Sequence, residues 1–386
     1  MKPDKLLTRL SQTFDPLIFR SLVTSTILSL FVMHAHADDV HWLLEVQQPP
    51  KEPSSFSVGT MQPLLERSDG TPITSLKDWK ERRKAIQSAW ETFLGPSPTF
   101  PKNNDVTVLK HETIGEITRD LIRYQCEQDP DLYVEAYLLR PAKKEIGIGR
   151  PGIVALHHTA TASIDEIAGL SGRPALFLGP KLAERGFVVI CPRCFLWQDA
   201  PSLPKAVENF RERHPQSLGM RKMLFDAQRA TEILVAQPDV DPSRIGAIGH
   251  SLGAKEVLYL AAFDERIKAA VASEGGTALG STNWDAPWYL GPQIHEKTFT
   301  RNHHELLALI APRAILILGG ETGPGAADGD RSWPLIAAAL PVHRLYRATP
   351  QLGILNHHLG HYFSEDLFER SANWLEAYLN DKTRTE

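Results

Sequence analysis

A serine between two glycines is the first feature of the sequence that could carry chemistry. The segment GHSLG contains Ser251 and lies between a short apolar run, RIGAIG, and a predicted helix, SLGAKEVLYLAAF. A sharp turn from strand to helix lifts a serine hydroxyl above the end of a sheet, and glycines beside it let the two elements pack closely. An ordinary Gly-Ser turn would also explain five such letters. The strand–turn–helix setting favours the first interpretation, and we predict that Ser251 is a nucleophile.

The serine needs a base, which is usually a histidine, to remove its proton. In hydrolases with this kind of turn, the acid and then the histidine follow the serine along the chain. Three histidines, His357, His358 and His361, lie in NHHLGHYF just before the last predicted helix. We choose His361 as the base, because its Gly-His turn directly precedes that helix, where a loop can place the ring over Ser251. The other two are interpreted as supporting or surface residues.

An acid that orients the histidine is expected after the apolar run AILILGG. The loop that follows, GGETGPGAADGDRSW, contains three carboxylates: Glu321, Asp328 and Asp330. Asp328 is our choice, since small residues precede it and a helix begins soon after it. Glu321 lies nearer the end of the strand, and Asp330 could instead cap the helix. A fourth candidate, Glu274 in SEGG, ends the preceding predicted strand and is also within reach of a histidine.

Acyl transfer also needs backbone N–H groups that stabilise the oxyanion of the tetrahedral intermediate. One is expected from Leu252, the residue after the nucleophile. The second is expected from the loop after GIVALHH, around His158 and Thr159. Metal binding by the pair His157 and His158 is not expected, because adjacent residues of a strand point to opposite faces. We interpret both histidines as residues that shape this loop.

The elements that must position these residues alternate along the chain. Continuous apolar runs are separated by segments of helical periodicity; the runs are GIVALHH, FVVICP, RIGAIG, IKAAVAS and RAILILGG. Such runs are typical of parallel strands that are buried on both faces. The sequence therefore predicts an α/β fold with a mostly parallel central sheet and helices on both its faces. Its site is expected outside the carboxyl ends of the strands.

The N-terminal residues resemble a targeting signal. Basic residues precede the apolar stretch SLVTSTILSLFVM, and HAHADD then supplies the small residues that signal peptidase recognises. We predict cleavage after Ala37 and a secreted or periplasmic protein. The apolar stretch is shorter than the ~18 residues of a spanning helix, so no stable membrane insertion is expected after cleavage. The expected organisation is a signal peptide at 1–37, an N-terminal extension with a leader and a helix at 38–131 that packs on the core, and a catalytic domain at 132–386.

Composition argues against several other kinds of function. The 386 residues are 42% hydrophobic and 23% charged, as in ordinary globular proteins. A net charge of −4 without a long basic run makes nucleic acid an unexpected partner. We find no cofactor motif and expect neither a cofactor nor a metal. The cysteines Cys126, Cys191 and Cys194 lack the second pair that a structural zinc site needs; we expect buried thiols or one disulfide that uses Cys126.

In their combined order, these motifs resemble the α/β-hydrolase superfamily. The segment VDPSRIGAIGHSLGAKEVLYLAAFDERIKAAVASEGG is similar to the nucleophile region of its dienelactone-hydrolase-like and acetyl-xylan-esterase-like branch, and GIVALHHTAT resembles the oxyanion strand. The resemblance covers residues 133–379. It implies Ser251 as nucleophile, His361 as base and a hydrolase that acts on an ester or similar acyl bond. Dienelactone hydrolases themselves use a cysteine nucleophile, so the serine here indicates ordinary esterase chemistry.

The sequence thus predicts an exported serine esterase, and the resemblance favours carbohydrate esters as substrates. Trp284, Trp288 and Tyr289 would line an acyl or sugar pocket, or else pack within a cap. One alternative is a peptidase of the prolyl-oligopeptidase type, although the N-terminal segment is too short for the β-propeller that such enzymes normally carry. The other is a hydrolase-like binding protein without catalysis, which the presence of serine, acids and histidine disfavours.

Overall fold

A computed structural model describes residues 42–129, 131–143, 149–198, 200–346 and 349–380. The described residues from Leu43 onward form one compact unit. The predicted signal peptide and its cleavage after Ala37 lie outside the described residues. Within the described ranges, no helix is long and apolar enough to cross a membrane.

Nine strands in the described part of the chain form one sheet. In chain order they are β1 (Val106–Ile114), β2 (Ile117–Gln125), β3 (Tyr133–Pro141), β4 (Arg150–Leu156), β5 (Val188–Pro192), β6 (Val240–His250), β7 (Ile267–Ser273), β8 (Ala314–Gly319) and β9 (Leu352–Asn356). Across the sheet the order is β1-β2-β3-β5-β4-β6-β7-β8-β9. The first three pairs, β1-β2, β2-β3 and β3-β5, are antiparallel. The remaining five pairs, from β5-β4 to β8-β9, are parallel.

Helices connect the parallel strands and surround the sheet. Those in the described ranges are α1 (Leu76–Leu94), α2 (Ile164–Ile167), α3 (Leu178–Glu184), α4 (Leu203–Arg213), α5 (Gly219–Val235), α6 (Leu252–Phe263), α7 (His304–Ile310), α8 (Trp333–Leu345) and α9 (Glu365–Leu379). The central strands are buried at almost every residue, because their apolar side chains face helices on either side. The predicted α/β class with a mostly parallel sheet is confirmed.

The N-terminal extension joins the same core as the rest of the unit. Helix α1 begins where the Ser75 hydroxyl accepts the N–H of Asp78 and ends at Gly95, whose φ is 85°. The buried Trp90 on this helix donates its indole N–H to Glu305, 2.7 Å away. The extension also supplies β1 and β2 to the sheet. Residues on both sides of position 131 therefore share one sheet and one core.

The three cysteines are free thiols, and all are buried. Burial raises the pKa of Cys126 to about 12 and raises that of Cys191 and Cys194 as well. A thiol whose pKa is raised stays protonated near neutral pH, and only the thiolate is strongly nucleophilic. The structure thus agrees with the interpretation of these residues as buried thiols.

Candidate active site

Ser251 lies in the turn between β6 and α6. Its φ of 58° and ψ of −116° place it in a conformation that residues other than glycine rarely adopt. A Cβ on Gly249 would lie 2.4 Å from the carbonyl carbon of Gly253, and one on Gly253 would lie 2.0 Å from the carbonyl oxygen of Leu156 in β4. The Ser251 N–H donates to the carbonyl of Ser273 in β7, at 2.7 Å. Both glycines are thus sterically required by a turn held against two neighbouring strands.

Backbone strain is concentrated around this turn. Within the described ranges, the residues other than glycine with positive φ are Ser163, Ser251, Glu274 and His358. They follow β4, β6, β7 and β9, so all four lie beyond the carboxyl ends of parallel strands. Each such conformation costs on the order of 1–3 kcal/mol and persists only where its surroundings enforce it. This edge of the sheet is therefore the candidate active site.

His361 lies in the loop before α9 and packs against the residue that precedes the nucleophile. The centroids of the His361 and His250 rings are 4.7 Å apart. Nδ1 of His361 lies 3.0 Å from the carbonyl oxygen of Gly325 and 4.0 Å from Oε2 of Glu274. Because a carbonyl oxygen can only accept, we assign the proton to Nδ1. Nε2 then keeps its lone pair, as a general base requires.

Glu274 is the carboxylate that lies beside this histidine. Its side chain is completely buried at the end of β7. Oε1 accepts the N–H of Gly320 at 2.5 Å, and Oε2 accepts the N–H of Ala327 at 2.9 Å. These two backbone donors hold the carboxylate in place, with Oε2 as the oxygen nearer to His361. Glu274, one of the alternative acids from the sequence, thus lies within ion-pair distance of His361 but beyond hydrogen-bond distance.

Asp328 points to a different loop. Its Oδ2 accepts the N–H of Gly276, and its Oδ1 accepts the N–H of Thr277 and the hydroxyl of Ser332, each at 2.7 Å. The carboxylate is fully buried, and none of its donors is His361. The geometry therefore does not support our choice of Asp328 as the acid, because the loop after β8 folds so that this side chain secures the loop after β7.

The other two carboxylates of the loop after β8 connect that loop to β9. Glu321 accepts the N–H of Asp330 at 2.5 Å, and Asp330 accepts from the Asn356 side-chain amide at 2.8 Å. Asp330 does not cap α8, which begins at Trp333 directly after Ser332. Both carboxylates therefore stabilise the loop and stay outside the pair formed by the base and its acid.

His357 contacts the other oxygen of Glu274. Its Nε2 lies 2.8 Å from Oε1, and its side chain is only 7% exposed. Nδ1 of the same ring accepts the N–H of Leu359 at 3.3 Å, so the proton belongs on Nε2 and faces the carboxylate. The ring is not aligned for a straight hydrogen bond. Glu274 thus lies between two histidines, one on each carboxylate oxygen.

Replacing His357 by leucine is expected to lower kcat about tenfold with little change in KM. The leucine variant would remove the imidazole beside Oε1 of Glu274. The carboxylate would then be less firmly positioned beside His361. Glutamine at this position can donate to the same oxygen, so His357→Gln should recover most of the activity. The measurement is kcat and KM for both variants across pH. An equal loss in both variants, with an unshifted pH profile, would contradict a positioning role.

The two expected oxyanion donors belong to the start of α6 and to the loop after β4. Leu252 is the first residue of α6, where backbone N–H groups have no partner within the helix. The ring of His158, in the loop after β4, lies 6.1 Å from that of His250. Nε2 of His158 accepts from Arg173 at 2.8 Å and also lies 3.1 Å from Glu166. These contacts of His158 with Arg173 and Glu166 hold the loop after β4 in place.

Two groups near the site were missed in the sequence because no motif contains them. Arg173 is one, and its positive charge contributes to lowering the pKa of His361. Lys255 on α6 is the other; its Nζ lies 3.9 Å from the centroid of the Trp284 ring, and burial lowers its pKa to about 7. Trp284 and Tyr289 are themselves buried, so the packing interpretation fits them better than the pocket interpretation.

The chain is similar to known proteins both in sequence and in fold. Residues 134–312 match the model of the dienelactone hydrolase family. A glucuronoyl esterase from Solibacter usitatus superposes with a TM-score of 0.68 at 18% identity, over 85% of this chain and 100% of that one. The chain has an α/β-hydrolase fold. A putative acetyl xylan esterase from Bacteroides fragilis NCTC 9343 superposes on this chain with a TM-score of 0.58 at 15% identity, over 80% and 81% of the two chains.

Sequence similarity to a curated protein covers a shorter part of the chain. Over 104 residues it is 34% identical to "Putative hydrolase YtaP" of Bacillus subtilis (strain 168). That match covers 25% of this chain and 34% of the relative, so the chain spans about a third of the relative's length. The α/β-hydrolase fold and the dienelactone-hydrolase-like region predicted from the motifs are confirmed.

Proposed function

We propose that this α/β-hydrolase is a serine esterase that cleaves carboxylic esters of carbohydrates, with Ser251, His361 and Glu274 as its triad. One observation carries the proposal: a serine in a strained turn, a histidine with a free Nε2 and a buried carboxylate lie at one edge of the sheet. The match to a hydrolase family and the carbohydrate esterases among similar structures support the substrate class.

Acylation is the first half of the proposed reaction. Oγ of Ser251 attacks the ester carbonyl carbon, and its proton passes to Nε2 of His361. The oxyanion accepts hydrogen bonds from the N–H of Leu252 and from a backbone N–H of the loop at His158. The N-terminus of α6 beneath it favours the negative charge further.

Departure of the alcohol completes acylation, and deacylation follows. Protonated His361 first donates its proton to the leaving alkoxide, and the alcohol departs while the acyl group stays on Ser251. A water molecule that His361 deprotonates then attacks the acyl-enzyme, which releases the carboxylic acid and regenerates the serine hydroxyl. Glu274 holds the imidazole and stabilises its cationic form in both halves.

The proposed base predicts a characteristic dependence on pH. Burial lowers the pKa of His361 from its ordinary value of 6.5, and the charge of Glu274 opposes this only in part. Neutral His361 is the active form, so kcat/KM should be retained above the lowered pKa and lost as pH falls through it. Burial lowers the pKa of His158 and His250 as well.

A pH–rate profile for a soluble ester checks this expectation. The acid limb should have its midpoint below 6.5. In Glu274→Gln it should lie lower still, because that change removes the charge that raises the pKa of His361. A midpoint above 6.5, or an upward shift in the variant, would be incompatible with His361 as the base.

Labelling with a fluorophosphonate tests the proposed nucleophile directly. The protein is incubated with the reagent, and the modified peptide is identified by mass spectrometry. A phosphonate on Ser251 that is missing from Ser251→Ala supports the proposal and justifies a screen of acetyl, methyl and aryl esters. If the folded protein is not labelled, the GHSLG turn is a scaffold, and a non-catalytic binding protein becomes the better interpretation.

Export remains part of the proposal. Sequencing the N-terminus of protein recovered from the periplasm or the medium tests it, with residue 38 as the expected first residue. An intact N-terminus on the recovered protein would contradict cleavage after Ala37.

A further inference from the structure

A groove of about 340 Å³ lies at the same end of the sheet as Ser251. We call it the Tyr133–Trp197 groove; its lining includes Arg123, Asp131, Tyr133, Glu135, Arg193 and Trp197. Arg193 and Trp197 follow the carboxyl end of β5. Tyr133 begins β3, which runs antiparallel to β5, so it reaches the same edge. The groove therefore opens beyond the strand ends, at the edge from which Ser251 projects.

Direct contacts connect one wall of the groove to the candidate oxyanion loop. The rings of Trp197 and His157 meet edge to face, with centroids 5.1 Å apart. Nδ1 of His157 donates to the carbonyl of His158 at 2.8 Å, and its Nε2 accepts the N–H of Cys194 at 3.1 Å. Burial lowers the pKa of His157 to about 4, so the ring stays neutral with both hydrogen bonds in place. Trp197 thus packs against a buried residue that is itself hydrogen-bonded to the candidate oxyanion loop.

The chemistry of the lining indicates the kind of ligand. Tyr133 is 45% exposed and Trp197 is half-buried, and the Arg123 guanidinium lies over the Tyr133 ring, 5.9 Å from its centroid. Arg123 and Arg193 each donate to Glu135, at 3.0 and 3.2 Å, and Asp131 supplies a second carboxylate. Two cations and two anions leave no net charge that would select an ion. The exposed lining is mostly polar, with two aromatic side chains among fixed hydrogen-bonding groups, which suits the hydroxyls of a sugar and one of its apolar faces.

We infer that the Tyr133–Trp197 groove binds a neutral sugar residue of the polysaccharide that carries the scissile ester. The inference rests on the proposed function for its substrate class and adds a second point of attachment beside the ester. The volume corresponds to roughly ten water molecules, which is enough for a pyranose ring with its hydroxyls. Binding there would hold the chain while its ester reaches Ser251.

Binding of unesterified oligosaccharides tests the groove without any catalysis. Titration calorimetry would use xylohexaose and cellohexaose as probes, with the whole protein. Trp197→Ala and Tyr133→Ala are expected to weaken binding roughly twofold to tenfold, the range for the loss of one aromatic contact. Phenylalanine at either position keeps a flat face and should retain most of the affinity. Leu109→Ala, at an exposed apolar residue of β1, is the matched control and should bind like the unmodified protein.

Kinetics with two substrates extend the test. The ratio of kcat/KM for acetylated xylo-oligosaccharides to that for 4-nitrophenyl acetate should fall in the alanine variants, because only the longer substrate reaches the groove. Tyr133→Ala is the sharper variant, since Trp197→Ala also removes the contact to His157. If neither oligosaccharide binds, or if Tyr133→Ala binds both unchanged, the groove is not a sugar site.

The two proposals can fail separately. Binding that depends on Tyr133, in a protein whose Ser251 is not labelled by the fluorophosphonate, would retain the groove and overturn the esterase. Labelling of Ser251 together with oligosaccharide binding that ignores Tyr133 would retain the esterase and overturn the groove.

Discussion

Ser251→Ala is expected to lower kcat/KM on the order of 10⁴-fold or more while the protein stays folded. The substitution removes the attacking oxygen, and the oxyanion donors alone supply only a small part of the rate. Alanine and serine both have a Cβ atom, so the backbone strain at a φ of 58° is the same for both and the turn should persist. Steady-state kinetics on an aryl ester, with thermal unfolding of both proteins, measures the two effects.

The matched control for this prediction is Ser171→Ala. Ser171 is an exposed serine in the loop between α2 and α3, outside the proposed triad. The Ser171→Ala substitution should leave both kcat/KM and the unfolding temperature unchanged. If Ser251→Ala keeps a tenth or more of the activity at an unchanged unfolding temperature, Ser251 is not the nucleophile.

Glu274→Gln is expected to lower kcat by two to four orders of magnitude, and Asp328→Asn far less. Both changes replace a carboxylate by an amide of the same shape, but only Glu274 lies beside the base. An amide there would no longer stabilise the imidazolium, and the orientation of His361 would be weaker. The measurement is kcat per folded molecule for the two variants, side by side.

Asp328→Asn should mainly lower the free energy of unfolding. Asp328 accepts three hydrogen bonds in a fully buried position, and an amide nitrogen cannot accept. A buried donor left without a partner costs about 1–3 kcal/mol in the free energy of unfolding. A larger loss of kcat in Asp328→Asn than in Glu274→Gln would reinstate Asp328 as the acid.

Features that depend on local sequence were predictable. The G-x-S-x-G turn is set by contacts among neighbouring elements: Gly249 meets Gly253, and Gly253 meets the end of β4. The apolar runs likewise identified the central strands, since burial on both faces excludes polar residues. The exposed strand β1 was missed for the opposite reason, because an edge strand that faces water needs no apolar pattern.

The identity of the acid was not predictable in the same way. Four carboxylates follow neighbouring strands, and each lies among the small and polar residues that are usual in such loops. Which one faces His361 depends on backbone donors that are distant along the chain: Gly320 and Ala327 hold Glu274, whereas Gly276 and Thr277 hold Asp328. No single segment contains that information.

By itself, the sequence determined an α/β-hydrolase fold with a serine in a strand-to-helix turn, because the glycines that this turn requires lie within one short segment. The tertiary structure alone decided which carboxylate accompanies His361, that His357 lies on its other oxygen, and that Tyr133 and Trp197 share a groove. Those relations join loops more than fifty residues apart, or the ends of two antiparallel strands. They arise only when the sheet brings its strand ends together.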